Sequence, residues 1–167
     1  MDIRKPNITS LSGDFSKIAL LSDTHGLWRS EMCELLQGAE LILHAGDVGD
    51  LEMLDKMKAL APTYAVCGNV DISPGLSSLP TQMNLRLPQG MIVIGHERLL
   101  IHLEGLGDVR LVLFGHTHKP MKEKLDGRWW VNPGSIGPRR FRLPISFAWL
   151  CIQDGIWDVS HVELDAS

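Results

Sequence analysis

Cysteine is scarce in this chain: Cys33, Cys67 and Cys151 stand far apart and are odd in number. That excludes a disulfide framework as the source of stability, and a reducing cytoplasm is the simplest setting. Long apolar runs are missing as well, and none reaches the length of a membrane span. Asp2, Arg4, Lys5, Pro6 and Asn7 break the basic-then-apolar pattern of a secretion signal. Basic residues do not dominate either. Lys and Arg number 16 against 20 Asp and Glu, a formal net charge of −4, which disfavours a broad electrostatic grip on nucleic acid. There is no Gly-x-Ser-x-Gly elbow and no Gly-Lys-Ser phosphate loop, so neither a serine nucleophile nor a basic nucleotide cradle is indicated.

What is present fits one folded domain. With 167 residues, 44% apolar and 22% charged, the chain can bury a substantial core. Residues 1–16 lack periodicity and read as an N-terminal extension; residues 17–167 read as a single domain without repeat, low-complexity tract or linker. The apolar runs Ile18–Leu21, Leu41–Leu43 and Tyr64–Val66 read as buried strands. Between them, residues 28–37 and 50–60 carry helical spacing, the first closed by Gly38 and the second opened by Asp50. Strand–helix–strand–helix–strand implies a parallel sheet with right-handed crossovers. The second half changes to short strands near 82–87, 91–94, 98–102, 110–114, 121–125, 128–132, 145–152 and 156–163, with hairpin turns at Asp126-Gly127 and Asp154-Gly155.

Polar metal-binding residue types recur where these strands end. In order they are Asp23-Thr24-His25, Gly46-Asp47, Gly68-Asn69-Val70-Asp71, His102 and Gly115-His116-Thr117-His118. Ligands collect beyond the carboxyl ends of parallel strands, so Asp23, Asp47 and Asn69 are placed at one edge. Singly, Asp23 or Asp47 could cap a helix and each glycine could be an ordinary turn; the ordered set points to a metal site. His96 also follows a glycine, but Ile94–Arg98 reads as a turn between strands, with Arg98–Ile101 as the strand that delivers His102. His44 reads as a packed residue behind Asp47, Asp71 as an orienting partner for Asn69 or a histidine, and His161 as without function. Of Trp129 and Trp130, adjacent in a strand, one should face the core and the other solvent.

This series, together with Asn132-Pro133-Gly134-Ser135, resembles the calcineurin-like metallophosphoesterase superfamily, and within it the small bacterial and archaeal phosphodiesterases. The resemblance runs from about Lys17 to Glu163. It implies an α/β fold, a four-layer α/β/β/α sandwich of two mixed sheets flanked by helices. It also implies two divalent metal ions, Mn first and Fe, Zn or Ni as alternatives. Asp23, His25 and His118 would serve one metal, Asn69, His102 and His116 the other, and Asp47 both. A metal-bridging hydroxide would attack phosphorus, with Asp47, Asn69 and His116 as the residues closest to the chemistry and no protein nucleophile.

Two departures stand out. Leu103 follows His102 where the family carries glycine, and Val70 stands where many relatives place a histidine that could protonate the leaving group. Leaving groups of low pKa are therefore expected to be favoured. The expected substrate is a small phosphodiester or nucleotide, with no membrane involved, nucleic acid disfavoured by charge and a homo-oligomer left open. Arg139, Arg140 and Arg142 read as a solvated basic stretch, with a phosphate grip as the alternative. The rival from another class is a non-catalytic metal-binding scaffold, since eukaryotic relatives include a retromer subunit used for protein contacts.

Overall fold

The computed structural model describes residues 5–165. Its strands form two sheets. One contains β2 (Lys17–Leu21), β3 (Leu41–His44), β4 (Thr63–Ala65), β10 (Ile145–Gln153) and β11 (Ile156–Leu164), in the order β11-β10-β2-β3-β4. The other contains β1 (Thr9–Ser10), β5 (Gln82–Leu87), β6 (Gly90–Gly95), β7 (Val109–Leu113), β8 (Met121–Leu125) and β9 (Arg128–Asn132), in the order β1-β5-β6-β7-β9-β8. Both sheets are mixed, with β2-β3-β4 parallel in the first and β6-β7-β9 parallel in the second.

Alternation along the central strands sorts their side chains between layers. Ile18, Leu20, Leu41 and Leu43 face Leu85, Ile92, Ile94, Leu111 and Leu113 across the space between the sheets. The intervening Ala19, Leu21 and Ile42 pack outward against Met32, Leu36, Met53, Leu54 and Met57. Strands covered on both faces must read as continuous apolar runs, which is how β2 and β3 are written. The opposite outer face is covered differently. Met91, Val93, Val109 and Val112 lie under Ile8, Ile101, Leu103, Leu106 and Trp130, so the N-terminal segment and the loop after β6 cover this face. That is in keeping with the short span Leu103–Asp108, which leaves no room for the helix the resemblance would place there.

The N-terminal segment is built into the sheet, since Thr9 and Ser10 pair in parallel with Leu85 and Arg86, and Leu11 and Phe15 pack against the core. Of the two helical patterns, 50–60 becomes α2 (Leu51–Lys58), whose Asp50 side chain accepts from the Glu52 N–H. The 28–37 pattern shrinks to α1 (Met32–Leu35), a single turn without a side-chain cap. Its upstream end is held elsewhere: the Arg29 guanidinium donates to the carbonyls of Ile136 and Gly137 at 3.0 and 2.7 Å. Both Asp-Gly pairs form the expected hairpin turns, with both residues of each at positive φ.

The expected strand at 98–102 is absent. Arg98–Leu100 form one turn of 3-10 helix instead. Arg98 is drawn inward: its guanidinium pairs with Glu123 at 2.7 Å and lies over the rings of Trp130 and Phe114. Leu99 and Leu100 are left 94% and 64% exposed. No strand partners the next residues, because the Gln82 side-chain amide takes both backbone groups of His102, accepting its N–H at 2.9 Å and donating to its carbonyl at 2.7 Å.

Candidate metal centre

The carboxyl ends of the two parallel strand sets meet at one edge, and loops from both sheets interlock there. Asp23 N–H donates to the Gly46 carbonyl and Gly115 N–H to that of His96, both at 3.0 Å. Across the sheets, His116 N–H donates to Asp23 Oδ2 at 3.2 Å. Contact this close leaves no space for side chains at two glycines. A Cβ on Gly68 would collide with the Asp47 amide and carboxylate, and one on Gly115 with the Ser22 hydroxyl and Asp23 carboxylate.

Asp23, His25, Asp47, Asn69, His116 and His118 converge at this edge, and His96 joins them. His25 Nε2 lies 3.7 Å from Asp23 Oδ1, 3.7 Å from Asp47 Oδ2 and 3.3 Å from His118 Nε2. His118 Nε2 is 3.3 Å from Asp23 Oδ1. His96 Nε2 is 3.2 Å from Asp47 Oδ2 and 2.9 Å from Asn69 Oδ1, and His116 Nδ1 is 3.2 Å from that same Asn69 oxygen. Asp23, His25, Asp47, His116 and His118 all adopt positive φ, between 47° and 72°. For residues other than glycine this conformation costs on the order of 1–3 kcal/mol each. Turn geometry alone explains Asp126 and Asp154; here the cost bends the chain so that each side chain faces the common centre.

His102 is not part of the group. It stands exposed, with its backbone tied to Gln82, and the expectation that it joins the cluster is corrected: His96 occupies that place. The buried strand β6 ends at Gly95, so His96 is the residue that emerges at the edge. The readable signal was Gly95 itself, a glycine directly before a donor at a strand end, as in Gly46-Asp47, Gly68-Asn69 and Gly115-His116.

Surrounding groups fix the donors. Asp71 accepts from the N–H groups of Val48, Gly49 and Gly68 at 3.1, 3.0 and 2.9 Å, so it ties together the loops carrying Asp47 and Asn69 rather than touching Asn69 itself. The Asn-Pro-Gly-Ser turn ties the loops of the two sheets together. Asn132 donates to the Gly115 carbonyl and Thr117 Oγ1, and Ser135 Oγ donates to the Asp23 carbonyl. His44 is fully buried; its Nδ1 accepts from Gly46 N–H, so Nε2–H donates to Thr24 Oγ1, whose hydroxyl donates to the Val48 carbonyl. Burial pushes the His44 imidazole down to about 4, which keeps it neutral.

The donor set fits cations, and two observations show why. Asp23 Oδ1 is buried and receives no hydrogen bond, although two imidazole nitrogens face it. For His96, Nδ1 contacts the Ala45 carbonyl at 2.8 Å. With the proton there, the neutral ring turns its Nε2 lone pair onto oxygens of Asp47 and Asn69, a contact that only a cation or a proton makes favourable. The titration directions agree. Burial alone would raise the Asp23 carboxyl, but His118, His25 and Ser22 outweigh it and hold the group well below the usual carboxylate range. Asp47 behaves likewise, its burial outweighed by His96 and the Val70 N–H. His25 is raised by Asp23; His96 is raised by Asp47 and its neighbours despite burial. Two oxygen–nitrogen groups therefore stand ready, Asp23/His25/His118 and Asp23/Asp47/His96.

Comparison with known proteins agrees with this edge. Residues 17–155 match the Calcineurin-like phosphoesterase superfamily domain. A probable metallophosphoesterase of Methanocaldococcus jannaschii is 33% identical over 133 residues, covering 71% of this chain and 67% of that one. Among solved structures, Chaetomium thermophilum Vps29 superposes with a TM-score of 0.70 at 18% identity, covering 89% of this chain and 97% of its own. A novel archaeal phosphodiesterase gives 0.68 at 19% identity, covering 89% and 99%. The two structures show a shared fold; the sequence matches go further, and this chain belongs to the calcineurin-like phosphoesterase superfamily.

Proposed function

We propose that the protein is a binuclear metal-dependent phosphodiesterase. The observation that carries this reading is the position of Asp47 Oδ2, which faces His25 Nε2 on one side and His96 Nε2 on the other. One carboxylate oxygen thus serves two donor sets: Asp23, His25 and His118, and Asn69, His96 and His116. The carboxamide of Asn69 adds an oxygen without adding charge, and imidazoles with carboxylates suit Mn, Fe, Zn or Ni. When bound, two such cations supply Lewis acidity toward phosphoryl oxygens and acidify water.

The chain's own residues set the geometry of attack. Val70 N–H donates to Asp47 Oδ1 at 3.0 Å and locks the shared carboxylate in place. Asn69 and His116 are the exposed donors, so a phosphoryl group approaches the centre from their side. Water adds to phosphorus, the bond to the leaving alcohol breaks, and the alcohol departs with the proton from water. Val70 places an apolar side chain beside Asn69, where an imidazole could have supplied that proton. Activated diesters, whose alcohols leave without help, are accordingly the favoured substrates. A complete donor set favours chemistry over the scaffold reading, and the archaeal phosphodiesterase of the same fold supports this choice of reaction.

The test is hydrolysis of bis(p-nitrophenyl) phosphate by Mn²⁺-loaded protein. Turnover that stops on chelation and returns with metal is the expected result. A folded, metal-loaded protein that leaves the diester intact would overturn the reading.

A further inference from the structure

Two cavities open on the donor edge, one on each side of the 3-10 turn Arg98–Leu100. The first, about 400 Å³, reaches Asn69 and His96 and is walled by Thr81, Gln82, Glu97, Leu100, Ile101 and His102. The second, about 350 Å³, reaches His116 and is walled by Arg98, Leu99, Phe114, Thr117, Lys119 and Met121. They converge at the centre, because Asn69 Oδ1 lies between His96 and His116 at 2.9 and 3.2 Å. Glu97 borders both.

Their chemistry differs. The first offers the Glu97 carboxylate, the His102 ring, the Thr81 hydroxyl and the Asn69 amide, with no lysine or arginine among its described lining residues. A second phosphate there would find a carboxylate and no cation. The second takes its apolar surface from Leu99, Phe114 and Met121; its Arg98 is already paired with Glu123 at 2.7 Å, which leaves the exposed Lys119 as its one cation among the described lining residues. Each volume lies at the small end of the range that houses organic ligands, enough for one substituent of a diester. Leu99 and Leu100, exposed on the dividing turn, offer one apolar side chain to each side.

We propose that the turn Arg98–Leu100 sorts the two substituents of a diester, seating an uncharged hydrogen-bonding alcohol such as a nucleoside in the Thr81–Gln82–His102 cavity and an aromatic or apolar one in the Leu99–Phe114–Met121 cavity. The inference rests on the phosphodiesterase reading and deepens it: the substrate is a diester with two unlike arms, and neither a bare monoester nor a polyphosphate uses both cavities.

The test compares two diesters with the same leaving group, thymidine p-nitrophenyl phosphate and methyl p-nitrophenyl phosphate, on Mn²⁺-loaded protein. The nucleoside diester is expected to show about tenfold higher kcat/KM, the discrimination a filled pocket typically supplies. Thr81→Trp, at an exposed position, narrows the first cavity and is expected to erase most of that preference. Leu99→Glu, also exposed, is expected to lower kcat/KM for both substrates, since both carry the aryl arm. Equal kcat/KM for the two diesters in the wild-type protein, or a preference untouched by Thr81→Trp, would overturn the two-cavity assignment while leaving the phosphodiesterase standing. Absence of turnover on both diesters would overturn both readings.

Discussion

The two donor sets of the centre differ in depth. Asp23 and His118 are almost fully buried, at 0% and 3% exposure, and Asp23 Oδ2 is further fixed by the Ser22 hydroxyl at 2.6 Å and the His116 amide at 3.2 Å. His25, the third member, is half-buried; in the other set His96 is buried while Asn69 and His116 are exposed, and it is through these two that the set opens onto both cavities. A buried carboxylate with a vacant hydrogen-bonding position binds a cation in place of its lost hydration, whereas exposed donors leave coordination room for an incoming oxygen. On the binuclear reading, Asp23 and His118 would favour retention in the deep set and Asn69 and His116 access in the outer set, with Asp47 where the two sets join.

Removing the join should have the largest effect. Asp47→Asn keeps a carbonyl oxygen to accept the Val70 N–H but takes away the charge that both sets share. Turnover of the aryl diester is expected to fall by about 10³-fold or more, equivalent to at least about 4 kcal/mol of transition-state stabilisation. Circular dichroism and thermal melting should show an intact fold. A variant with near wild-type turnover would separate the two sets and end the comparison.

His44 lies beneath the loops of both aspartates and is expected to govern acid stability of the metal-free protein. Its folded value of about 4 lies below its ordinary 6.5. Between those values the unfolded chain binds a proton that the folded protein excludes, so stability is full above about pH 6.5 and is lost as pH falls toward 4. The linkage amounts to about 3 kcal/mol. The other shifted groups act outside this window. His25 and His96 are raised, so their contribution is present below pH 6.5 and lost as pH rises through their folded values; the lowered carboxyls lose theirs only as pH falls through the carboxylate range. Urea unfolding at pH 6.5 and pH 4.5 measures the drop, and His44→Gln should flatten it. A wild-type protein equally stable at both values would remove His44 from the account.

The outer set is where sequence and structure part. The strand-to-loop logic of the first half was legible because β2 and β3 carry uninterrupted apolar runs, buried on both faces, and a donor leaving such a run can emerge only at the sheet edge. Gly115-His116-Thr117-His118 was legible for the same reason at the end of β7. The run Arg98–Ile101 misleads because an apolar stretch after a turn looks the same whether it pairs as a strand or coils; its fate is decided by Arg98 finding Glu123 and Trp130, residues more than twenty positions away in the sequence. The shortened α1 has a similar cause in the tie from Arg29 to Ile136 and Gly137. Exchanging the histidines tests the correction directly. His96→Ala is expected to weaken binding of the second Mn²⁺ by about 10²-fold, the scale of losing a charge-linked donor of about 3 kcal/mol, while His102→Ala should leave both metals bound. Metal content after dialysis reads the difference, and the opposite pattern would restore His102.

Asp71 offers the smallest and most discriminating effect. It contacts none of the donor side chains, but it holds the loops of Asp47 and Asn69 together through three backbone N–H groups. Asp71→Asn retains one acceptor oxygen. Placed where Oδ2 now sits, that oxygen keeps the bonds from Val48 and Gly68 and turns an NH₂ toward Gly49. Such supporting contacts typically change metal affinity by about 10- to 100-fold; with two of the three bonds kept, the lower figure is expected. The loss should fall mainly on the outer set, because Asp23 and His118 are positioned by Ser22, the Asn-Pro-Gly-Ser turn and each other. His25 is tied to the Asp71-held loop, through the N–H groups of His25 and Gly26 on the carbonyls of Asp47 and Val48. Calorimetric Mn²⁺ titration resolving two binding steps decides the matter. Weakening confined to the second step sharpens the contrast between a retained and an exchangeable metal. Equal weakening of both would mean that the shared Asp47 carboxylate transmits any loop displacement to the whole centre, and depth would then no longer distinguish the two sets.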